Sequence, residues 1–227
     1  MRTSILTILA YFVMCSVSYA SDVYITQSGA SLTANINQDG QTNRFGVSGT
    51  VVTLTGDNQT LDIDQVGNTN TIAASVVGAT QELTVNQTGS SNTSTVSVGA
   101  NSASADNSII QTITGSSNTT TVNVGSSAAS SDADIDLVAT GSSNTVTINE
   151  NSTASMIGSD KKITSITAIG SSNTITSTHI GAADQDTTLH HTGSSSTFAI
   201  TQDGAHDGSV SITTVGSGHN VTVTMDD

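Results

Sequence analysis

The sequence predicts an all-β protein, a β-solenoid of about eight two-stranded (strand-turn-strand) rungs. Three observations predict it: a phrase that recurs along the chain, side chains that alternate with a period of two on both sides of that phrase, and a composition unable to fill an ordinary core. The phrase stands as QTGSSNTSTVSVG from Gln87, ITGSSNTTTVNVG from Ile113, ATGSSNTVTINEN from Ala139 and AIGSSNTITSTHIG from Ala168. A sustained internal period is the mark of a repeat architecture.

The chain opens with Arg2, an apolar run from Ile5 to Val17, and the small residues Ser18 and Ala20 around Tyr19. That layout is a secretory signal peptide, residues 1–20, with the cut expected after Ala20. Met14 directly before the only cysteine, Cys15, argues against a lipid anchor there. Residues 21–227 then form one repeat domain without a thiol, and hence without a disulfide or a Cys-based metal site. Removing Arg2 leaves three Lys and Arg against 18 acids, a net charge of 3 − 18 = −15. Nucleic acid is not expected as a partner, because phosphate binding needs clustered basic residues. Only Tyr24, Phe45 and Phe198 remain as aromatics and proline is absent. The Ser, Thr, Asn and Gly content by itself would suggest disorder; the order of the residues argues otherwise.

Glycines followed three residues later by Asn recur at Gly40 (Asn43), Gly67 (Asn70), Gly89 (Asn92), Gly115 (Asn118), Gly141 (Asn144) and Gly170 (Asn173). Degenerate copies stand at Gly193 (Ser196) and Gly216 (His219). The intervals are 27, 22, 26, 26, 29, 23 and 23 residues. A second turn falls about halfway, at Gly78, Gly99, Gly125, Gly181 and Gly204, with Asn151 in place of Gly once. Extra residues of the longer repeats collect after this second turn, at Gly99–Asp106, Gly125–Asp134 and Asn151–Lys162.

Between the turns lie strands. Before the glycine, every second residue reads Leu61-Ile63-Gln65, Leu83-Val85-Gln87, Ile109-Gln111-Ile113 and Ile135-Leu137-Ala139. After the asparagine it reads Ile72-Ala74-Val76, Ser94-Val96-Val98, Thr120-Val122-Val124, Phe198-Ile200-Gln202 and Val221-Val223-Met225. Alternation with β-branched residues on one parity is a half-buried strand. Asp62, Asp64 and Asp136 fall on the opposite, outward parity. No single strand-turn-strand unit could bury its apolar side alone, so stability must come from stacking on neighbours.

Three repeats carry a longer signature, QDGQTN (Gln38–Asn43), QVGNTN (Gln65–Asn70) and QTGSSN (Gln87–Asn92). Parity turns both amides inward beside Ile and Val. One buried amide without a partner costs about 1–3 kcal/mol. A column of identical amides, one per layer, can pass donor to acceptor along the stack. The glycine between them is expected because a Cβ would clash at the corner. Bland residues are thus what like-on-like stacking requires.

Gln-x-Gly-x-x-Asn on strand-turn-strand units of this length resembles the curlin repeat of bacterial curli subunits, and the likeness spans essentially the whole mature chain. The resemblance implies a secreted, extracellular functional amyloid that polymerises with copies of itself, and with a related nucleator subunit, into biofilm fibres. It also implies passage through a dedicated outer-membrane export channel. The assembly ladders would be Gln38, Asn43, Gln65, Asn70, Gln87 and Asn92, with Asn118, Asn144 and Asn173 as Asn-only members. Copies after residue 93 depart from the pattern, with Ile113, Ala139, Ala168, His191 and Thr214 where Gln would stand. The second strand ends in the family's second Gln only at Gln202, and in Val98, Val124 or Glu150 elsewhere. No separate export segment precedes the repeats.

The sequence bears on two other classes. Outward Thr ranks, Thr93/Thr95, Thr119/Thr121, Thr145/Thr147 and Thr174/Thr176, extended by Thr71, Thr197 and Thr222, resemble the flat face of β-solenoid antifreeze proteins, so a monomer that binds ice or another surface is the alternative. Thr is also simply a good polar strand former. An enzyme is not expected: no nucleotide loop or cofactor motif is present, and Ser and Asp are too common for a triad to carry information. His190 and His191 face opposite sides of a strand, and His206 with Asp207 sits at a turn. Asp132, Asp134 and Asp136 lack the spacing of a calcium loop. No cofactor, metal or small-molecule substrate is implied.

Overall fold

The computed structural model describes residues 11–14, 21–23, 25–40, 42–46, 52–78, 80–99, 104–125, 130–151, 161–181, 184–204 and 208–226. The cut after Ala20, Tyr24, the His206–Asp207 turn and most of the three long loops lie outside them. Among the described residues the protein is all-β without helix, built of parallel sheets that form a β-solenoid of about 6 turns. The strands in chain order are β1 (Tyr11–Met14), β2 (Ser21–Val23), β3 (Thr26–Ser28), β4 (Ser31–Asp39), β5 (Thr42–Phe45), β6 (Val52–Thr55) and β7 (Asn58–Val66). Then follow β8 (Thr69–Val77), β9 (Thr80–Thr88), β10 (Ser91–Val98), β11 (Ser104–Thr114), β12 (Ser117–Val124), β13 (Ser130–Thr140) and β14 (Ser143–Asn151). The last six are β15 (Lys161–Ile169), β16 (Ser172–Ile180), β17 (Asp184–Ser194), β18 (Thr197–Asp203), β19 (Gly208–Ser217) and β20 (Asn220–Asp226).

One sheet runs β1-β4-β7-β9-β11-β13-β15-β17-β19; the other runs β2-β5-β8-β10-β12-β14-β16-β18-β20, with β3 and β6 attached beside it. Every described pairing is parallel and advances by one repeat, so equivalent residues stand above one another. Ile36, Ile63, Val85, Gln111, Leu137, Ile166, Leu189 and Ile212 make one such column. Val23, Phe45, Ile72, Ser94, Thr120, Val146, Ile175, Phe198 and Val221 make another on the facing sheet. The alternation expected from the sequence is the alternation found: β4 reads exposed-buried throughout, and Leu61, Ile63, Leu83, Val85, Ile109, Ile135 and Leu137 are all in the core. Parity fixes the facing because a one-residue slip would turn the whole apolar set into water. Val221, Val223 and Met225 keep the inward parity but are exposed, since no strand stacks on β20.

β1 was not expected as a strand. Tyr11–Met14 lies in the segment read as a leader, and here it pairs with β4 from Tyr11↔Asn35 to Met14↔Gln38. It thereby occupies the first edge of that sheet.

The turn glycines are explained by neighbours more than by torsion angle. At Gly67, Gly89, Gly115 and Gly141 the backbone is not left-handed. A Cβ at Gly67 would run into the carbonyl oxygen of Gly40 in the layer below and into Asn43 Oδ1. The corner therefore demands Gly because adjacent corners touch. Gly40, the first of the series, has open space where its Cβ would be.

Candidate functional site

The site is the set of inward polar columns together with the two faces on which they end. Gln38, Gln65 and Gln87 are buried on β4, β7 and β9, in register. Gln87 Nε2 donates to Gln65 Oε1 at 3.0 Å, and Gln65 Nε2 donates to Gln38 Oε1 at 2.6 Å. Each glutamine also reaches across the corner, to the carbonyl oxygens of Arg44, Thr71 and Thr93. The donors therefore point toward the N-terminal end. The column stops at Gln87, whose Oε1 has no partner among the described residues, since Ile113 stands above it.

The asparagines occupy the facing sheet and their ladder runs the other way. Asn92 Nδ2 donates to Asn118 Oδ1 (3.0 Å), Asn118 to Asn144 (2.7 Å) and Asn144 to Asn173 (2.8 Å). The same amides bond the carbonyl oxygens of Thr114, Thr140 and Ile169 at the corner. Asn43 and Asn70 are buried in the same column but do not join it. Their Nδ2 groups donate to the backbone of Gln38 and Gln65, at 2.6 and 3.0 Å. Seven of the nine predicted ladder amides are thus joined, three glutamines in one column and four asparagines in the other, and where the glutamine column ends the asparagine column begins.

The asparagine ladder terminates on His191. Asn173 Nδ2 lies 2.7 Å from His191 Nε2, and Ser196 Oγ is 2.9 Å from the same nitrogen. An amide nitrogen can only donate, so Nε2 accepts and the imidazole is neutral. Burial first, and then the nearby His219, push the His191 pKa down. The two imidazoles meet edge to face, with centroids 4.8 Å apart, beside Phe198.

Two features escaped the sequence reading. Gln59, Gln81 and Gln185 are buried at the second turn and reach the carbonyl oxygens of Gly29, Gly56 and Gly181. They sit one further step along the same parity, eight residues before Gly67, Gly89 and Gly193, so extending the count would have found them. The second is a buried polar cluster of Glu150, Thr164, Ser177, His179, Thr187 and Gln202. His179 Nδ1 contacts Glu150 Oε2, and His179 Nε2 lies 2.7 Å from Ser177 Oγ and 3.1 Å from Thr187 Oγ1. Both Glu150 and His179 fall six residues after their turn asparagine, where a hydrophobic residue stands in earlier repeats. That shared offset was the available signal.

Outside the core, Asp62 carries a carboxyl pKa raised by partial burial, then by Asp64 and Glu82. Asn35 and Asn86 donate to Asp62 and Asp64, at 3.3 and 2.8 Å. The outward threonines Thr71, Thr93, Thr119, Thr145, Thr174 and Thr197 form one unbroken column. Among the described residues no group of three His, Cys, Asp or Glu is placed to hold a metal ion. The fold defines the class, a parallel β-solenoid with amide-lined corners. No protein family, curated sequence or solved structure matches the chain.

Proposed function

We propose that the mature chain is a secreted, curlin-like structural protein that adds copy upon copy into extracellular functional-amyloid fibres. In this reading each coil is a two-stranded strand-turn-strand rung, and about eight rungs at about 4.8 Å each give a column about 35–40 Å tall. The observation that carries it is the C-terminal face. Val221, Val223 and Met225 point along the core direction yet are 45%, 42% and 51% exposed. β19 and β20 are both unpaired edges, and such edges are templates for another chain.

A second copy fits that face. Continuing each column by one layer sets Val221 against Val23 and Met225 against Gln27 of the next molecule, and Ile212 against Ile36. Asp22 heads a column that ends on Asn220, so no like charges meet there. Removal of the leader takes β1 off β4 and opens the receiving edge. Backbone pairing then supplies affinity, and the alternate side chains supply register. Export through an outer-membrane channel and pairing with a nucleator subunit belong to the same reading, by resemblance. The test is to incubate the purified residues 21–227 and examine them by electron microscopy with an amyloid dye. Fibres are expected; a protein that stays monomeric at high concentration overturns the reading.

The unbroken threonine column favours one alternative, a monomer that binds ice through that face. Thermal hysteresis in the monomeric protein would support it, and its absence at high concentration would remove it.

A further inference from the structure

The buried cluster around His179 has the parts of an acyl-transfer site whose nucleophile and acyl donor are both side chains of this chain. Thr187 leaves β17 and Gln202 leaves β18, so they approach from opposite sheets across the core. Gln202 Nε2 lies 3.2 Å from Thr187 Oγ1, which places the hydroxyl next to the amide group. Thr187 Oγ1 in turn lies 3.1 Å from His179 Nε2, and His179 Nδ1 contacts Glu150 Oε2.

These contacts have one consistent direction. The Gln202 amide donates to the threonine oxygen. The threonine hydroxyl donates to Nε2, which leaves the proton of His179 on Nδ1, directed at the Glu150 carboxyl oxygen. That is the tautomer a general base needs, held by an acid as in a nucleophile–base–orienter chain. Ser177 Oγ, at 2.7 Å from Nε2, competes for the same lone pair, but the hydroxyl bonded to the Gln202 amide is that of Thr187. Glu150, Ser177, His179 and Thr187 are essentially without solvent exposure and Gln202 nearly so. No substrate from solution can enter, and water that would hydrolyse an acyl product is kept out.

We propose that Thr187 and Gln202 form an intramolecular ester. Thr187 Oγ attacks Gln202 Cδ while His179 Nε2 takes the hydroxyl proton. The tetrahedral centre collapses with breakage of the Cδ–Nε2 bond, and His179 returns the proton to the departing nitrogen. The bond formed is Oγ–Cδ, the bond broken is Cδ–Nε2, and one ammonia leaves; no redox partner is required. Nε2 also shares its two hydrogens with the carbonyl oxygens of Gln185 and Ser209, at 3.0 and 3.2 Å, so the leaving nitrogen is held, while Oε1 has no partner among the described residues. Holding the two groups together in a dry site replaces a bimolecular encounter. The product staples the two sheets together next to the exposed C-terminal face.

The intact mass of the purified, folded protein tests this directly. The chain is expected to be lighter than its sequence by one ammonia, and peptide mapping to find a branched peptide joining the Thr187 and Gln202 segments that hydroxylamine opens. Thr187→Val, with β-sheet content checked by circular dichroism, is expected to restore the sequence mass. Glu150→Gln, which leaves hydroxyl and amide in place, is expected to lower the cross-linked fraction without reaching zero. A wild-type mass equal to the sequence overturns the proposal, whatever the variants do. So does a missing ammonia that persists in Thr187→Val.

Discussion

The N-terminal and C-terminal halves of this solenoid share a backbone and differ in what lines it. Along Gln38, Gln65 and Gln87 the inward polar groups are amides that bond their own kind one layer away. Around Glu150 and His179 they are a carboxyl, an imidazole and hydroxyls, with the Gln202 amide beside them, bonded as unlike partners within and between layers. An amide is donor and acceptor at once, so a column of them can be extended by any further copy. A carboxyl and an imidazole need unlike partners, here each other and the hydroxyls of Thr164, Ser177 and Thr187. The first half is therefore a pattern that repeats, and the second is one that closes.

The largest contrast is expected from truncation. His179→Ala leaves the Glu150 carboxyl buried beside little more than Thr164, and breaking a buried pair from one side costs about 3–5 kcal/mol. Gln65→Ala removes one member of the amide column and is expected to cost about 1–3 kcal/mol. Denaturant unfolding of the two variants measures the difference, and equal costs would erase the distinction between the halves.

A sharper comparison uses one substitution at two positions. Gln65→Met breaks bonds on both sides of the column and is expected to destabilise. Gln111 is fully buried between Val85 and Leu137, and neither its Nε2 nor its Oε1 has a partner among the described residues. An apolar side chain of similar volume there removes a desolvated amide, so Gln111→Met is expected to stabilise, by about 1–3 kcal/mol. Opposite signs in thermal melts are the expected result.

Acid should act in opposite directions on the two halves, with smaller effects. His191 has a lowered pKa, so the fold prefers it neutral; its contribution is whole above the usual value of 6.5 and is lost as pH falls through the folded value. Asp62 has a raised pKa, so the fold prefers it protonated; the cost of partly burying its charge, and then of its repulsion by Asp64 and Glu82, is absent below the usual 3.8 and grows as pH rises through the folded value. Hydrogen exchange followed from pH 7 to pH 4 should show β17–β18 loosening while β7–β9 tightens. Asp62→Asn is the smallest change, a slight gain at pH 7 that disappears in acid. Fibre growth itself is expected to quicken at pH 4 relative to pH 8 in low salt, because acid lowers the net negative charge of stacked layers that lie within a Debye length of about 8 Å.

Strand positions and facing were legible because parity repeats so many times: Leu61, Val85, Ile109 and Leu137 follow from the count alone. The inward amides were legible for the same reason. Which amides bond each other was not. Asn43 and Asn70 share the parity of Asn92 but donate to the backbone of Gln38 and Gln65, and no spacing encodes that difference. The direction of the two ladders was hidden likewise. The Glu150–His179 pair joins residues in adjacent repeats, and only alignment of equivalent positions brings it to view. β1 could not be anticipated, since an apolar run at the N-terminus reads first as a leader.

The central claim is that the exposed last layer of one molecule is the seat for the first layer of another. Cys15 is the sequence's one cysteine, so a protein of residues 21–227 has no thiol and paired cysteines placed in it can report the junction. Val221→Cys and Val23→Cys proteins, mixed during assembly and then oxidised, should give 221–23 disulfides between copies, because stacked residues lie about 5 Å apart, within disulfide reach. No such bridge in assembled material, or bridges only between equal positions, would contradict it.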